Sequence, residues 1–572
     1  MPAEIRYQDK PWIAHYDNGV PEKIDYEPIC LPDYLAKSIQ KFPERTALFF
    51  EGLKISYRRL NDMVNRLATC LNAFGIQKGD RVAILLPNLI PCVVSYYAIL
   101  KIGAITVMNN PAASDRELEY QLSDSGAKIL ITFDLLVKRM AELRSKTDIR
   151  QILYTTFGDY LPFTKRVSFS LFAKSKGIAT KIKGADDVFS WKNLMADFPP
   201  EPVQTSVALE DIAQLQYTGG TTGISKGVML SHGNLSSQIQ QINAWFPTFA
   251  ESDEVILGAL PFFHSFGLTC AMNNAVFAGW GDILVPKPSA ENLLAAIRNF
   301  KPTFVPLVPT MYATLVNHPD IKKIDLTSIK GCFSGSAPLP VDVIKHFEAL
   351  TGAAISEGFG LTEASPITHA NPFQGKRKVG SVGLPFPDTE CRIVDLKDGL
   401  TNVPVGETGE LIVKGPQIMK GYWKKPEETA QVLRDGWLYT GDIARMDPEG
   451  YFYIVDRKKD MIISDGYNVY PREVDEVIYG HPKVQEACSI GIPHAIKGEQ
   501  VKVFVVLNSG ESVTEENLIQ YCKDKLATYK LPAQIEFRNE LPKSSVGKIL
   551  RKDLRYEEMK KPDYDFSSSK GS

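Results

Sequence analysis

The sequence predicts an α/β protein, and three observations carry that reading. Strand-like and helix-like segments alternate through the first half, the pattern of parallel sheets covered by helices. After about residue 376 the texture changes to short strands punctuated by Gly and Pro, as in a small antiparallel sheet or barrel. The last stretch of roughly 110 residues alternates helix and strand as a compact α+β module. The 572 residues are therefore expected to form a large N-terminal domain (1–458) and a smaller α+β C-terminal domain (459–572). The larger one would hold helix-covered, mostly parallel sheets plus a small β-barrel-like part.

The elements follow in order. One uncharged run, Val82 to Leu100, has 19 residues and approaches the length of a membrane span. Pro87, Asn88 and Pro91 interrupt it, so a buried strand (VAILL), a turn and a packed helix are expected instead. KIGAITVMNN reads as a strand rich in β-branched residues. Ser114 and Glu117 then form the S-x-x-E pattern of a capping box, opening the helix DRELEYQLSDS, which Gly126 can end. AKILITF returns as a strand, and EVILGALPFF, GDILVPKP and PTFVPLVP continue the buried-strand texture. VGSVGLPFPDTECRIVD, GETGELIVKG and EGYFYIVDRKKD supply the short strands, and the charged stretch Asp456–Asp460 reads as a linker. Beyond it come a Pro-led helix (PREVDEVIYG), two strands (VQEACSIGIP, VKVFVVLN) and a helix (TEENLIQYCKDKL). The tail DYDFSSSKGS is expected to be disordered. No internal repeat is present.

Composition narrows the function classes. Hydrophobic residues at 44% and charged residues at 23% are those of an ordinary globular protein. Sixty-five basic residues nearly cancel 67 acidic ones, leaving −2, so a global basic field for nucleic acid is excluded. The 8 cysteines are scattered without a CxxC pair, the usage of a reducing compartment without disulfide framework or zinc ribbon. The polar start MPAEIRYQDKPW lacks the apolar region of a secretory signal, so a soluble, cytoplasmic protein is expected. One stretch departs from the average. Leu161 to Gly184 carries six basic residues and no acidic one, interleaved with Phe163, Phe169 and Phe172. It reads either as an interfacial segment on the anionic inner face of a membrane or as a solvated loop. The oligomeric state, a homodimer included, stays open.

The strongest chemical signal is YTGGTTGISKG, Tyr217 to Gly227. A loop dense in glycine lets backbone N–H groups approach phosphate oxygens, with Thr221 and Thr222 as hydroxyl donors and Lys226 as a point charge. It is not a Walker A loop, which needs Gly directly before Lys; here Ser225 precedes Lys226. Further on, EGFGLTE (Glu357 to Glu363) offers Phe359 to stack on a base, with Thr362 and Glu363 for phosphate and Mg²⁺. GWLYTGD ends in Asp442, an acceptor for ribose hydroxyls, and LPKSSVGKILRKDL places Lys543 and Lys548 on a Gly- and Ser-containing loop. His264, in the aromatic setting LPFFHSFG, reads by itself as a satisfied core histidine or a ligand.

These motifs, in this order, resemble the adenylate-forming (acyl-activating) enzyme superfamily, and within it the long-chain fatty acyl-CoA synthetases of bacteria. The resemblance runs from about residue 25 to 556, and DGWLYTGDIARMDPEGYFYIVDRKKD is similar to the longer block of the fatty acyl-CoA synthetases. The resemblance implies ATP and CoA as co-substrates, Mg²⁺ as cofactor and a fatty acid as substrate. It implies that Thr218, Gly219, Gly220, Thr221, Thr222, Gly223 and Lys226 hold the β- and γ-phosphates of ATP. Gly335, Ser336, Ala337 and Pro338, together with Gly358 and Phe359, would form the adenine slot, with Glu357 and Gly360 also in the ATP/AMP-binding set. Thr362 would face the α-phosphate, Glu363 and Thr222 would bind the metal, and Asp442 and Arg457 would hold the ribose. The resemblance also places His264 beside the fatty carboxylate, in a region that with VPLVPTMY is apolar enough to line an acyl tunnel. Lys459 falls at a hinge that makes the C-terminal domain mobile, Lys548 serves adenylation, and Gly466, Tyr467 and Asn468 line the CoA passage. Asp465 stands where relatives commonly carry Gly.

The implied reaction has two halves. The fatty carboxylate attacks the α-phosphorus of ATP, giving acyl-AMP and pyrophosphate; CoA then takes the acyl group and AMP leaves. Three rivals remain at this point: another acid or acceptor on the same chemistry (an aryl acid, acyl carrier protein), a fatty-acid uptake or binding protein, and a kinase-like NTPase. Ser225 disfavours the last, which would yield ADP.

Overall fold

Strand and helix alternate as the hydrophobic pattern predicts. The computed structural model describes residues 6–162, 165–168, 187–203, 205–218, 225–249, 254–464, 466–494, 497–544 and 547–561. They gather into two units, one of residues 12–390 with 414–438, the other of the described parts of 1–11, 391–413 and 439–572.

The larger unit holds two sheets. In the eight-stranded sheet the strands Ile212–Thr218, Ile105–Met108, Arg81–Ile84, Ile129–Phe133, Gln151–Thr155 and Val188–Ser190 run parallel in that spatial order. Lys226–Ser231 pairs antiparallel with Ile212–Thr218, and Gly421–Tyr422 pairs antiparallel with Lys226–Ser231 at the edge. In the nine-stranded sheet the parallel run is Ile355–Gly360, Gly331–Ser334, Phe304–Leu307, Val255–Gly258, Gly281–Leu284 and Thr46–Phe50. Antiparallel strands flank it at both edges.

The local reasons are those read from the sequence. The uncharged run divides into the strand Arg81–Ile84 and the helix Ile90–Lys101, which has Pro91 in its first turn, where no helical hydrogen bond is lost. Nearly every position of that helix is buried, which accounts for its apolarity without a membrane. Among the described residues, no helix is long and apolar enough to cross one. Helix Asp115–Ser125 opens with the expected capping box: Ser114 Oγ accepts from Glu117 N at 3.3 Å, and Glu117 Oε2 accepts from Ser114 N at 2.9 Å. Gly126, at φ 63°, ends it in the left-handed region. All eight cysteines are free and buried.

The smaller unit holds two sheets. One is built of Glu390–Val394, Gly409–Lys414, Trp437–Met446 and Phe452–Arg457, less Glu390, Lys414, Trp437 and Leu438, which count with the larger unit together with the short strand Leu433–Arg434 that pairs with Trp437 and Leu438. The other has the order Tyr467–Val469, Ile462–Ser464, Gly498–Leu507 and Val484–His494, with Gln534–Phe537 paired parallel to Gly498–Leu507. Helices Pro471–Tyr479 and Glu515–Lys523 pack over the core of Val474, Ile478, Val503, Val505 and Leu518.

The reading of Asp456–Asp460 as a linker is corrected. Asp456 and Arg457 close a strand, and only Lys458–Asp460 turn. The cause is the Asp456 carboxylate, which is buried and accepts from the backbone N–H groups of Arg457 (2.7 Å) and Arg472 (2.6 Å). Most of the basic stretch 161–184, with Phe163, Phe169 and Phe172, and the tail 562–572 lie outside the described residues.

Candidate functional site

In the larger unit the site grows from an antiparallel pair. Thr218 and Lys226 are register partners, so they close the glycine-rich loop between them. Gly219, Gly220, Thr221, Thr222 and Gly223 lie outside the described residues. Lys226 Nζ makes an ion pair with Glu428 Oε2 at 2.6 Å and stands 4.9 Å from the centre of the Tyr422 ring. The Tyr422 hydroxyl in turn donates to Glu363 Oε1 at 2.8 Å. Burial, followed by the Glu363 and Glu428 carboxylates, pushes the Tyr422 phenol far up, so it keeps its proton and remains a donor. The expected phosphate lysine and the expected metal carboxylate are thus gathered on one tyrosine.

A second group sits where parallel strands end. Gly335, Ser336, Ala337 and Pro338 follow the strand Gly331–Ser334, and Glu357, Gly358, Phe359 and Gly360 end the neighbouring strand, with Ser334 in register with Glu357. Ligands of parallel sheets bind at such carboxyl ends. Ser336 is exposed at φ 74°, a strained position for a residue with a Cβ. Glu357 is buried and its Oε1 accepts from Leu339 N at 3.2 Å, so it ties down the loop rather than facing outward. Gly360 is required by close approach, because an added Cβ would lie 1.9 Å from the Pro366 carbonyl oxygen. Phe359 is half-buried, opposite His369 with ring centres 6.0 Å apart. Burial holds the His369 imidazole down at about 3, so it stays neutral behind that ring.

His264, expected beside the acid carboxylate, lies next in sequence to a residue that touches Thr362. His264 is half-buried and caps a short helix, its Nδ1 accepting from Phe266 N at 3.3 Å. The next residue, Ser265, has its Oγ 3.3 Å from Thr362 Oγ1. His264 and Thr362, expected beside carboxylate and α-phosphate, are therefore linked by a single hydroxyl pair.

In the smaller unit, Asp442 and Arg457 are register partners, and Arg457 Nε pairs with Asp442 Oδ1 at 2.6 Å. Asp442 is only 2% exposed, so its charge is held in a low-dielectric place where the guanidinium counts. Lys548 belongs to the same unit, on a loop where its N–H donates to Ser544 Oγ at 3.1 Å and its carbonyl accepts from Ser544 N at 2.8 Å. Lys548 is exposed, and the Arg457 guanidinium is the first cause that pushes its ammonium down to about 8 against the pull of Asp442. Lys459 is lowered as well, by desolvation first. Gly466 sits at φ 79° in the hairpin between Ile462–Ser464 and Tyr467–Val469, a conformation that favours glycine. Tyr467 is exposed and stacks on Tyr529, ring centres 4.6 Å apart, and Asn468 follows it. Asp465 is outside the described residues.

The AMP-binding enzyme family model matches residues 35–423, and the AMP-binding enzyme C-terminal domain matches 473–548. The chain belongs to the AMP-binding enzyme family. It is 46% identical to the long-chain-fatty-acid–CoA ligase of Bacillus subtilis (strain 168), over 96% of this chain and 98% of that one. Among solved structures it is similar to ATP-bound MatB from Rhodopseudomonas palustris, with TM-score 0.81 and 31% identity, covering 92% of this chain and 99% of the other. The anthranilate CoA ligase AuaEII in complex with anthranoyl-AMP is similar too, with TM-score 0.81, 27% identity, and 97% and 99% coverage.

Sequence reasoning missed two residues of this AMP-binding enzyme, Tyr422 and Glu428. The signal was the two-residue strand Gly421–Tyr422 followed by the Pro-led helix Pro426–Val432, whose first turn carries Glu427 and Glu428. Neither residue matches a local pattern, because Tyr422 meets Glu363 across 59 positions. The family's Mg²⁺ fits what is present. Glu363 gives Oε1 to the tyrosine and brings one hard carboxylate, and among the described residues no group of three or more His, Cys, Asp or Glu could hold a metal alone. One carboxylate plus substrate phosphate oxygens is the donor set Mg²⁺ ordinarily takes.

Proposed function

We propose that this chain is an AMP-forming acid–thiol ligase that converts a long-chain fatty acid to its CoA thioester. The observation that carries the chemistry is the gathering of Lys226 and Glu363 on Tyr422, next to strand ends suited to a nucleotide. The near-full-length similarity to a long-chain-fatty-acid–CoA ligase supports the choice of acid.

A carboxylate is a poor acyl donor, since its charge repels nucleophiles and oxide is a very bad leaving group. Attack of one carboxylate oxygen on the α-phosphorus forms a C–O–P bond and releases pyrophosphate; attack by the CoA thiolate on the acyl carbon then releases AMP. In the first step both partners are anionic, so the protein supplies positive charge through Lys226 and Lys548. Thr218 and the loop to Lys226, with Gly219, Gly220, Thr221, Thr222 and Gly223, receive the β- and γ-phosphates. Thr362 faces the α-phosphate, Phe359 stacks on the adenine beside Gly335–Pro338, and Asp442 accepts from the ribose with Arg457 fixing its orientation. His264 stands at the acid carboxylate. Glu363 and Thr222 would hold Mg²⁺, which would neutralise phosphate charge.

The two half-reactions ask for different groups at one reacting carbon. We assign the change to a turn of 459–572 about Lys459, Lys548 serving adenylation and Gly466, Tyr467 and Asn468 serving CoA. The basic segment 161–184 is proposed as a peripheral membrane contact, read by co-sedimentation with anionic vesicles. The function itself is tested by pyrophosphate release over saturated fatty acids of graded length and a few aryl acids. Release with C12 and longer acids, and AMP rather than ADP as the nucleotide product, is the expected result. Release with aryl acids alone rejects the substrate, and no AMP with any acid rejects the chemistry.

A further inference from the structure

Lys226 does not wait for phosphate with its charge unmatched. Its side chain is 22% exposed, and its ammonium lies on the Tyr422 face and is paired at 2.6 Å with the carboxylate of Glu428, a side chain 33% exposed. Glu428 is held there by construction. Tyr422 pairs with Val228, two residues beyond Lys226, and Trp423 N donates to the Gly227 carbonyl at 2.7 Å. Helix Pro426–Val432 is then stapled to this strand through Thr429, whose Oγ1 accepts from Tyr422 N at 2.9 Å and donates to the Lys425 carbonyl at 2.7 Å. The helix therefore presents Glu428 to Lys226 with little freedom to drift.

A triphosphate competes with that carboxylate for this place. The ammonium has three N–H donors, but a carboxylate and a polyanion drawn to it together repel each other, and the more highly charged triphosphate wins. We propose that Glu428 is a placeholder for phosphate: it holds Lys226 in the nucleotide-free enzyme and is displaced from it by the triphosphate of ATP. The inference rests on the reading of Lys226 as the phosphate lysine. Glu428 is thus a positioning residue, which keeps the lysine paired beside the Tyr422 ring until the triphosphate arrives. Its cost is that ATP must break an ion pair on arrival. Tyr422 is the spacer in this arrangement, since its ring carries the ammonium and its hydroxyl occupies one Glu363 oxygen.

The sign of one measurement decides. ATP binding to the full chain is titrated with Mg²⁺ and without acid, alongside ATP–pyrophosphate exchange with acid. Glu428→Gln should tighten ATP binding about three- to tenfold, the worth of a partly screened pair, and lower KM for ATP with kcat of exchange little changed. Glu428→Asp, which keeps the charge, should stay near wild type. Glu428→Ala repeats the test if the Gln variant fails to fold. Unchanged or weaker ATP binding in the neutral variants overturns the proposal, as a merely structural glutamate would give. Lys226→Ala separates the two readings: if it binds ATP like wild type, Lys226 is not the phosphate lysine, whatever Glu428 does. In the double variant the Gln substitution should add nothing to Lys226→Ala. Tightening that persists there means a general charge effect and also overturns the placeholder.

Discussion

The adenylation role proposed for Lys548 carries a pH signature. Its ammonium is held down to about 8, by the neighbouring Arg457 guanidinium first. A lysine that stabilises anionic transition states must be protonated, so kcat/KM for ATP, which reports the free enzyme, should fall as pH rises through about 8. Lys548→Arg, whose charge does not titrate there, should move this alkaline limb to higher pH; an unmoved limb would mean another group sets it. At this scale the legible candidates were those embedded in local strings, such as Glu363 in EGFGLTE and Asp442 in GWLYTGD. Glu428 and Tyr422 were illegible because each acquires meaning only from a partner on a distant strand. Glu357 was legible only as a candidate, and its burial and its bond to Leu339 N are products of packing that no local string records.

Among the elements, the strand Gly281–Leu284 carries an internal conflict. Asp282 is 1% exposed, and among the described residues neither carboxylate oxygen has a hydrogen-bond partner. Burial raises its pKa from 3.8 to about 8. Between those values the folded state keeps a proton that the unfolded chain has lost, so stability falls as pH rises through this window. Asp282→Asn removes the ionisation and should raise Tm at pH 8 by several degrees over wild type, the gap closing near pH 4. Melting curves at both pH values check this; a gap that is the same at both would place the effect elsewhere. GDILVPKP was legible as a buried strand because its apolar residues are contiguous, whereas the lone carboxylate inside it gave no sign of its isolation. The capping box at Ser114 was legible for the opposite reason, since all its partners lie within three residues. The two-residue strand Gly421–Tyr422 is too short to leave a periodic signal, yet it closes the sheet edge on which Lys226 stands.

At the scale of the whole molecule, the alternating first half and the α+β last part were legible because hydrophobic periodicity records layers directly. The grouping of 391–413 with 439–572 was not, because residues far apart in sequence join one unit and the intervening 414–438 joins the other. The charge of Asp456–Asp460 suggested a linker, and the buried Asp456 instead anchors a strand end. If 459–572 turns between half-reactions, Lys548→Ala should slow adenylate formation from ATP by about 10²–10³-fold while sparing conversion of supplied acyl-AMP to acyl-CoA. Separate assays of the two halves read this out, and equal loss in both would argue against a division of labour. The cysteines have a consequence of their own. All eight are interior, and burial lifts the thiols to about 12 at Cys92 and about 11 at Cys522, so the native chain presents oxidants and electrophiles with hardly any thiolate. Chemical insults that disable surface-thiol enzymes should pass this one by until its interior opens.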